Sequence, residues 1–262
     1  MTTSQTNIDD SISLGDLRYK SETTLEKLDS AACAVECIHA YPLIHDDLPS
    51  MDDDKLRRGK VTDGKTAAHI HYNETTAILS GEALQAFALK LLSHENSETT
   101  PVEQLKKIHL LAHCAGVSGM VSGQMLEINE IDNSISLTEL EKMHRLKTGA
   151  LIKASTLLGA LCSQTYQPKE YNILKEYAKK IGLAFQIVDD ILDETADLDT
   201  LGKPSSGDKA LGKSTYISHL GIKTARIEAQ KLINDALQLL EQLSDNTALL
   251  KELAELVVKR IN

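Results

Sequence analysis

The sequence predicts an all-α fold: a single-domain antiparallel helix bundle with a cavity between its helices. Three observations carry that expectation. Long stretches rich in Ala, Leu, Glu and Lys are interrupted by only five prolines in 262 residues. Apolar residues recur at steps of three and four, and no run of useful length alternates with period two. Hydrophobic residues make up 42% of the chain, enough for a substantial core. Trp is absent and Phe occurs twice, so that core must be built from Leu, Ile, Val and Ala. No internal repeat divides the chain.

Residues 1–20 are polar, include Asp9, Asp10 and Gly15, and read as a leader; residues 21–262 read as one domain. From Ser21 the pattern turns helical. Leu28, Ala31, Ala32, Val35, Ile38 and Pro42 step by three or four, while Cys33, Cys37, Ala40 and Ile44 add a second apolar face. That predicts a helix buried nearly all round, ended by Pro49. Residues 52–66 are charged and irregular, with Asp63-Gly64 a turn. A helix from about Asn73 to Ser93 follows, then a loop over Ser93–Pro101. Val102–Ile128 reads as one helix in which Gly116, Gly119 and Gly123 allow a neighbour to approach closely. After a polar connector over Asn129–Ser136, Ser136-Leu137-Thr138-Glu139 forms a capping box for a helix to about Leu161. Pro168 suits the first turn of a helix running to Leu192. Asp197–Lys213 reads as a loop, and helices near Ile222–Leu243 and Thr247–Val258 complete the bundle.

The net charge of −10, with no long basic run, argues against a nucleic-acid partner and favours cations. An anionic substrate would need bridging metals or a few well-placed Lys and Arg. The four cysteines show no zinc or disulfide spacing, and Cys33 and Cys37, with His39 nearby, read as small buried residues rather than zinc ligands. Neither a secretory leader pattern nor a membrane-length apolar run occurs, which predicts a cytoplasmic protein without a stable membrane anchor.

Two acidic clusters dominate the chemistry. The first is Asp46-Asp47-Leu48-Pro49-Ser50-Met51-Asp52-Asp53-Asp54, followed by Arg57-Arg58-Gly59; the second is Asp189-Asp190-Ile191-Leu192-Asp193. Asp189 and Asp193 lie one helical turn apart, and Gln186 shares their face. Carboxylates set in apolar helices repel one another and lose hydration, so they stay ionised readily only when cations bind. Hard divalent ions with oxygen ligands suit them, and Mg²⁺ commonly shares such carboxylates with substrate phosphates. Lys147-Thr148-Gly149 sits in an otherwise apolar helix, and Lys203 and Lys213 flank the loop after the second cluster. Together these residues describe a pocket for a metal-bridged diphosphate.

The segment Ile38–Pro49 with the Asp triplet and Arg57-Arg58-Gly59 resembles the first aspartate-rich motif of trans-isoprenyl diphosphate synthases, closest to the bacterial farnesyl diphosphate synthases. Gly119-Met120-Val121-Ser122-Gly123-Gln124 is similar to the family's Gly-Gly-Gln segment, with Ser122 in place of a usual Gly. His144–Gly149, Gly182–Asp193 and Leu211–Tyr216 are similar to its later motifs. The resemblance runs from about residue 25 to the end. It implies the isoprenoid synthase type of helix bundle and a homodimer. It also implies condensation of isopentenyl diphosphate with dimethylallyl or geranyl diphosphate, with three Mg²⁺ per active site. Asp46, Asp52 and Asp189 would hold Mg²⁺ on the allylic diphosphate, supported by Asp47, Asp190 and Asp193. Arg57, Lys147, Lys203 and Lys213 would contact the same diphosphate, while His39 and Arg58 would face isopentenyl diphosphate. Thr148 and Gln186 would line the place where the carbocation forms. The expected product is farnesyl diphosphate, with Tyr41 and Pro42, one turn or slightly more before Asp46, as the floor that limits chain length.

The sequence departs from the family upstream. The Gly-Gly-Lys-Arg-x-Arg-Pro motif whose Lys and Arg grip isopentenyl diphosphate is missing ahead of Asp46, and Lys60–Thr76 looks longer than usual. Weak isopentenyl diphosphate binding by these 262 residues is the corresponding expectation. The alternatives are a geranylgeranyl diphosphate synthase and a weakly active or non-catalytic prenyl-diphosphate-binding subunit. A class I terpene cyclase would share the first cluster but not Asp189–Asp193.

Overall fold

The computed structural model describes residues 25–57, 65–94, 99–130, 135–163, 167–195, 214–244 and 246–261. The leader over residues 1–20, the Asp63-Gly64 turn, the whole loop over 197–213 with Lys203 and Lys213, and Arg58 lie outside them. The described residues form an all-α fold. Its helices are α1 (Leu25–Asp46), α2 (Ala68–His71), α3 (Glu74–Ser93), α4 (Pro101–Ala115), α5 (Met120–Glu130), α6 (Leu137–Lys147), α7 (Gly149–Cys162), α8 (Pro168–Thr195), α9 (Tyr216–Leu240) and α10 (Ala248–Lys259).

Local chemistry starts several of these helices. Asn73 accepts the Thr76 N–H at 2.8 Å ahead of α3. Thr100 and Glu103 form a capping box for α4, with Pro101 in its first turn. Ser136 and Glu139 form the expected box for α6. α9 starts earlier than periodicity predicts, at a box made by Thr215 and Ser218, and kinks at Gly221. The φ of 73° at Gly221 is open to glycine and strained for other residues.

Two expected long helices are each divided. The stretch read as Val102–Ile128 is α4 and α5, separated by a turn in which the Gly119 N–H donates to the Gly116 carbonyl at 2.9 Å. The helix read as running from Ser136 to Leu161 breaks at Thr148 into α6 and α7. A further correction concerns strands. Leu56–Arg57 (β1) and Lys65–Thr66 (β2) pair antiparallel, with Leu56 opposite Thr66 and Arg57 opposite Lys65. Two-residue strands are too short to leave a period-two signal.

α8 holds the bundle together, packing against α9, α7, α10 and α6, while α1 lies along α3. Leu, Ile, Val and Ala dominate the core, yet Tyr177 and Tyr216 are among its largest fully buried side chains. The Tyr177 hydroxyl donates to the Leu250 carbonyl at 2.7 Å and so fixes α8 to α10. Burial pushes the pKa of that phenol up. In α1, from Leu28 onward, Asp29, Cys33 and Glu36 alone are exposed, a stripe at helical spacing on an otherwise buried or half-buried rod. Cys33 is therefore not a buried residue, and Cys37 is half-buried; Cys114 and Cys162 are buried. No helix among the described residues is long and apolar enough to cross a membrane.

Candidate active site

A cavity of about 710 Å³ opens between α1, α5, α6, α7 and α8. Its acid wall comes from two helices. α1 contributes Asp46, its last residue, and α8 contributes Asp189, Asp190 and Asp193. Gln186 lies one turn before Asp190 on the same wall, as helical spacing requires. Lys147 and Thr148 line the cavity from the α6–α7 break, and His39, Tyr41 and Pro42 line it from α1. Val35, Met120, Leu151 and Ile152 supply apolar lining.

The two other carboxylates expected from the first cluster do not line this cavity. Asp47 is 2% exposed and sits in the packed interior. Asp47 lies just past the last residue of α1, where the chain leaves the helix, and it packs inward while Asp46 lines the cavity. Asp52 is exposed. A tight turn returns its backbone to the helix end: the Met51 N–H donates to the Leu48 carbonyl at 2.8 Å, and the Asp52 N–H donates to the Asp46 carbonyl at 2.9 Å. Asp53 closes the turn with a φ of 52°, a left-handed conformation that Asp tolerates better than most residues. Arg57 lies in β1, and only its backbone is described.

Close backbone approach shapes the α6–α7 break. A Cβ on Gly123 of α5 would lie 2.2 Å from the Lys147 backbone nitrogen, and one on Gly182 of α8 would lie 2.9 Å from the Gly149 Cα. Glycine at both places lets α5 and α8 press on the break from two sides. Of the three glycines expected to admit a neighbouring helix, Gly123 does so; Gly116 and Gly119 serve the α4–α5 turn.

Several polar residues around the cavity are already paired. Lys147 forms an ion pair with Glu127 of α5. The Thr148 hydroxyl donates to the Gln186 carbonyl oxygen, tying the break to α8. Asp190 accepts the Tyr216 N–H at 2.7 Å, so its carboxylate caps the start of α9. The same oxygen lies 3.8 Å from His144 Nε2, and the His144 ring stacks on Tyr216 with centroids 5.8 Å apart. Asp189 faces Arg260, whose Nη2 is 3.7 Å from its Oδ1. Sequence reasoning missed Glu127, His144 and Arg260 as contributors. Glu127, one turn beyond Gln124, was the one with a local signal. Burial, then the charges of Glu127 and Glu139, raise the pKa of Glu130 on the same wall; His144 opposes that shift. Burial, then Asp46, raises that of the Tyr41 phenol.

Two buried nitrogens lining the cavity, His39 Nε2 and Gln124 Nε2, have no hydrogen-bond partner among the described residues, which suits a polar ligand. The carboxylates offer hard oxygen donors of the kind magnesium takes. Among the described residues no three His, Cys, Asp or Glu side chains converge as a ready-made metal cage.

The farnesyl diphosphate synthase of Escherichia coli (strain K12) is 46% identical to this chain over 237 residues, covering 89% of this chain and 78% of that protein. The farnesyl diphosphate synthase of Haemophilus influenzae is 47% identical over 236 residues, covering 90% and 78%. Among solved structures, a Helicobacter pylori geranyltransferase complexed with magnesium and isoprenyl diphosphate superposes with a TM-score of 0.76 at 34% identity, covering 89% of this chain and 74% of that one. Fold, cavity and relatives together define an all-helical enzyme of the prenyltransferase class. The chain belongs to the polyprenyl synthetase family, which matches residues 10–257.

Proposed function

We propose that this enzyme condenses isopentenyl diphosphate with dimethylallyl or geranyl diphosphate and releases farnesyl diphosphate. The observation that carries the reading is the sharing of one cavity by Asp46, Asp189 and Asp193 with Lys147 and an apolar lining. Asp46, Asp52 and Asp189 would hold three magnesium ions on the allylic diphosphate, with Asp193 in support on the α8 wall. Asp47 and Asp190 act behind them, Asp190 by fixing the start of α9. Magnesium, when bound, supplies positive charge that stabilises a departing diphosphate.

The chain's own residues do the rest. Lys147 exchanges Glu127 for a phosphate oxygen, and Arg57, Lys203 and Lys213 add cationic contacts. His39 and Arg58 bind the isopentenyl diphosphate. The hydrogen-bonded Thr148–Gln186 pair presents oxygen lone pairs where the allylic cation develops. Apolar walls exclude the water that would quench it. The allylic C–O bond breaks to release diphosphate, the isopentenyl double bond attacks the allylic carbon to form the new C–C bond, and the resulting cation loses a proton to the released diphosphate. Tyr41 and Pro42 limit chain length; a geranylgeranyl product is the runner-up.

Residues 21–262 act as one catalytic domain, working in the cytoplasm as a homodimer. Leu105 on α4, Val117 in the α4–α5 turn and Met125 on α5 are 66%, 81% and 57% exposed, an apolar set suited to a subunit interface. Sedimentation at micromolar concentration should show the dimer; a monomer alone would count against it. The deciding assay feeds geranyl and isopentenyl diphosphate with and without magnesium and identifies the products by chromatography. Asp46→Ala and Asp189→Ala should each lower turnover by orders of magnitude with the helical signal retained. Near-normal turnover in both would reject the metal assignment.

A further inference from the structure

Arg260 belongs to none of the motifs in the sequence, yet it reaches the acid wall. It lies in the turn after α10, with its guanidinium against two residues of α8. Nη2 is 3.7 Å from Asp189 Oδ1, and the guanidinium carbon is 5.0 Å from the centroid of the Phe185 ring. Phe185 and Asp189 are one turn apart on α8, so a flat guanidinium can cover the ring and turn its edge to the carboxylate. Nη1 is buried with no hydrogen-bond partner among the described residues. The turn is anchored from a third helix, because Arg226 of α9 donates to the Ile261 carbonyl. The Arg260 side chain is 24% exposed, so it is held in place rather than free in solvent.

We propose that Arg260 is a resident counter-ion for Asp189. It is a positioning residue that neutralises this carboxylate before a divalent cation arrives, gives way when the cation binds, and thereby sets the metal affinity of the α8 wall. The inference rests on the reading of Asp189 as a metal ligand. The separation supports exchange. At 3.7 Å the pair is longer than a charge-assisted hydrogen bond, typically about 2.7–2.9 Å, so the cation meets a long ion pair rather than a locked one. The stacking on Phe185 and the Arg226 anchor keep the guanidinium nearby after exchange, ready to reclaim the carboxylate.

The test uses Mn²⁺ alone as probe, with free ion counted by electron paramagnetic resonance against the full chain. Removing a partly exposed counter-ion should tighten Mn²⁺ binding by about three- to six-fold in Arg260→Gln. Arg260→Lys, which keeps the charge, should stay within about two-fold of the parent. Arg226→Gln, which frees the anchor and leaves the Arg260 guanidinium itself in place, should shift binding in the same direction by less. The Arg260→Gln difference should shrink as salt rises. Circular dichroism checks that each variant folds. Unchanged or weaker binding in Arg260→Gln overturns the proposal, as does an Arg260→Lys response equal to that of Gln. If Arg260→Gln does not fold, unchanged binding in Arg226→Gln overturns it. Asp189→Ala separates the two readings. If it leaves Mn²⁺ binding intact, the metal assignment fails and the counter-ion role with it. If it abolishes binding while Arg260→Gln changes nothing, the counter-ion role alone falls.

Discussion

Lys147 has two jobs in the proposed mechanism, and substitution can separate them. In the free chain it pairs with Glu127; in the reaction it binds the allylic diphosphate. Lys147→Met removes both contacts. Side-chain exposures of 29% for Lys147 and 16% for Glu127 place the pair between a surface and a buried salt bridge. Breaking a fully buried pair costs about 3–5 kcal/mol and an exposed one about 0–1, so a loss of about 1–2 kcal/mol is expected. For a chain of this size that lowers Tm by roughly 2–8 °C. The phosphate contact is a hydrogen bond to a charged group, worth about 1.5–3 kcal/mol, so kcat/KM should fall roughly 10- to 150-fold. The double variant Lys147→Met with Glu127→Gln removes the charge of the carboxylate as well. Its Tm should return most of the way, while kcat/KM stays low. Thermal circular dichroism and steady-state assays with geranyl diphosphate measure the two readouts. Recovery of activity along with Tm would refute the substrate contact and leave Lys147 a structural residue.

Three other perturbations follow from the same cavity. Gly123→Ala places a Cβ 2.2 Å from the Lys147 nitrogen, where backbone cannot yield cheaply; it should destabilise the fold by about 1–3 kcal/mol, measured by denaturant midpoint. The raised pKa of Glu130 means that the folded chain binds the extra proton, so stability falls as pH rises from the ordinary value of 4.5 through the raised one. Glu130→Gln should flatten Tm against pH across that window, and an unchanged profile would discard Glu130 as its source. Tyr41→Ala should lengthen the product beyond farnesyl on chromatography; an unchanged distribution would remove Tyr41 as the floor.

What could be read in the sequence was what neighbouring residues decide. Ser136 with Glu139, Pro168 and the apolar steps of α3 and α8 are local signals, and those helices start close to where the signals place them. Gln186, Asp189 and Asp193 share a wall because helix geometry obliges them to. The break at Thr148 was not readable. Apolar spacing continues through it, and the pressure that shapes it comes from Gly123 on one side and Gly182 on the other. The first acidic cluster reads as a row of similar carboxylates. Only the fold separates cavity-facing Asp46 from buried Asp47 and exposed Asp52. Glu127 and Arg260 escaped because their partners lie on other helices, 20 residues away for the first pair and on a separate turn for the second.

The pairing pattern bears on how substrate binding can be selective. Lys147 is held by Glu127, Asp189 by Arg260, and Asp190 by the Tyr216 N–H. A ligand bringing only negative charge competes with Glu127 for Lys147 and meets the repulsion of Asp46, Asp189 and Asp193. On the counter-ion proposal, a cation alone would displace Arg260 but leave Lys147 satisfied. A metal-bearing diphosphate answers both sets at once, offering positive charge to the carboxylates and phosphate oxygens to Lys147. The nitrogens of His39 and Gln124, without partners among the described residues, remain for a second polar group. The exchange costs little net pairing only when metal and diphosphate arrive together. A wall of paired charges thus rejects a lone anion or a lone cation more strongly than the complex of the two, which is the form in which an allylic diphosphate would be bound.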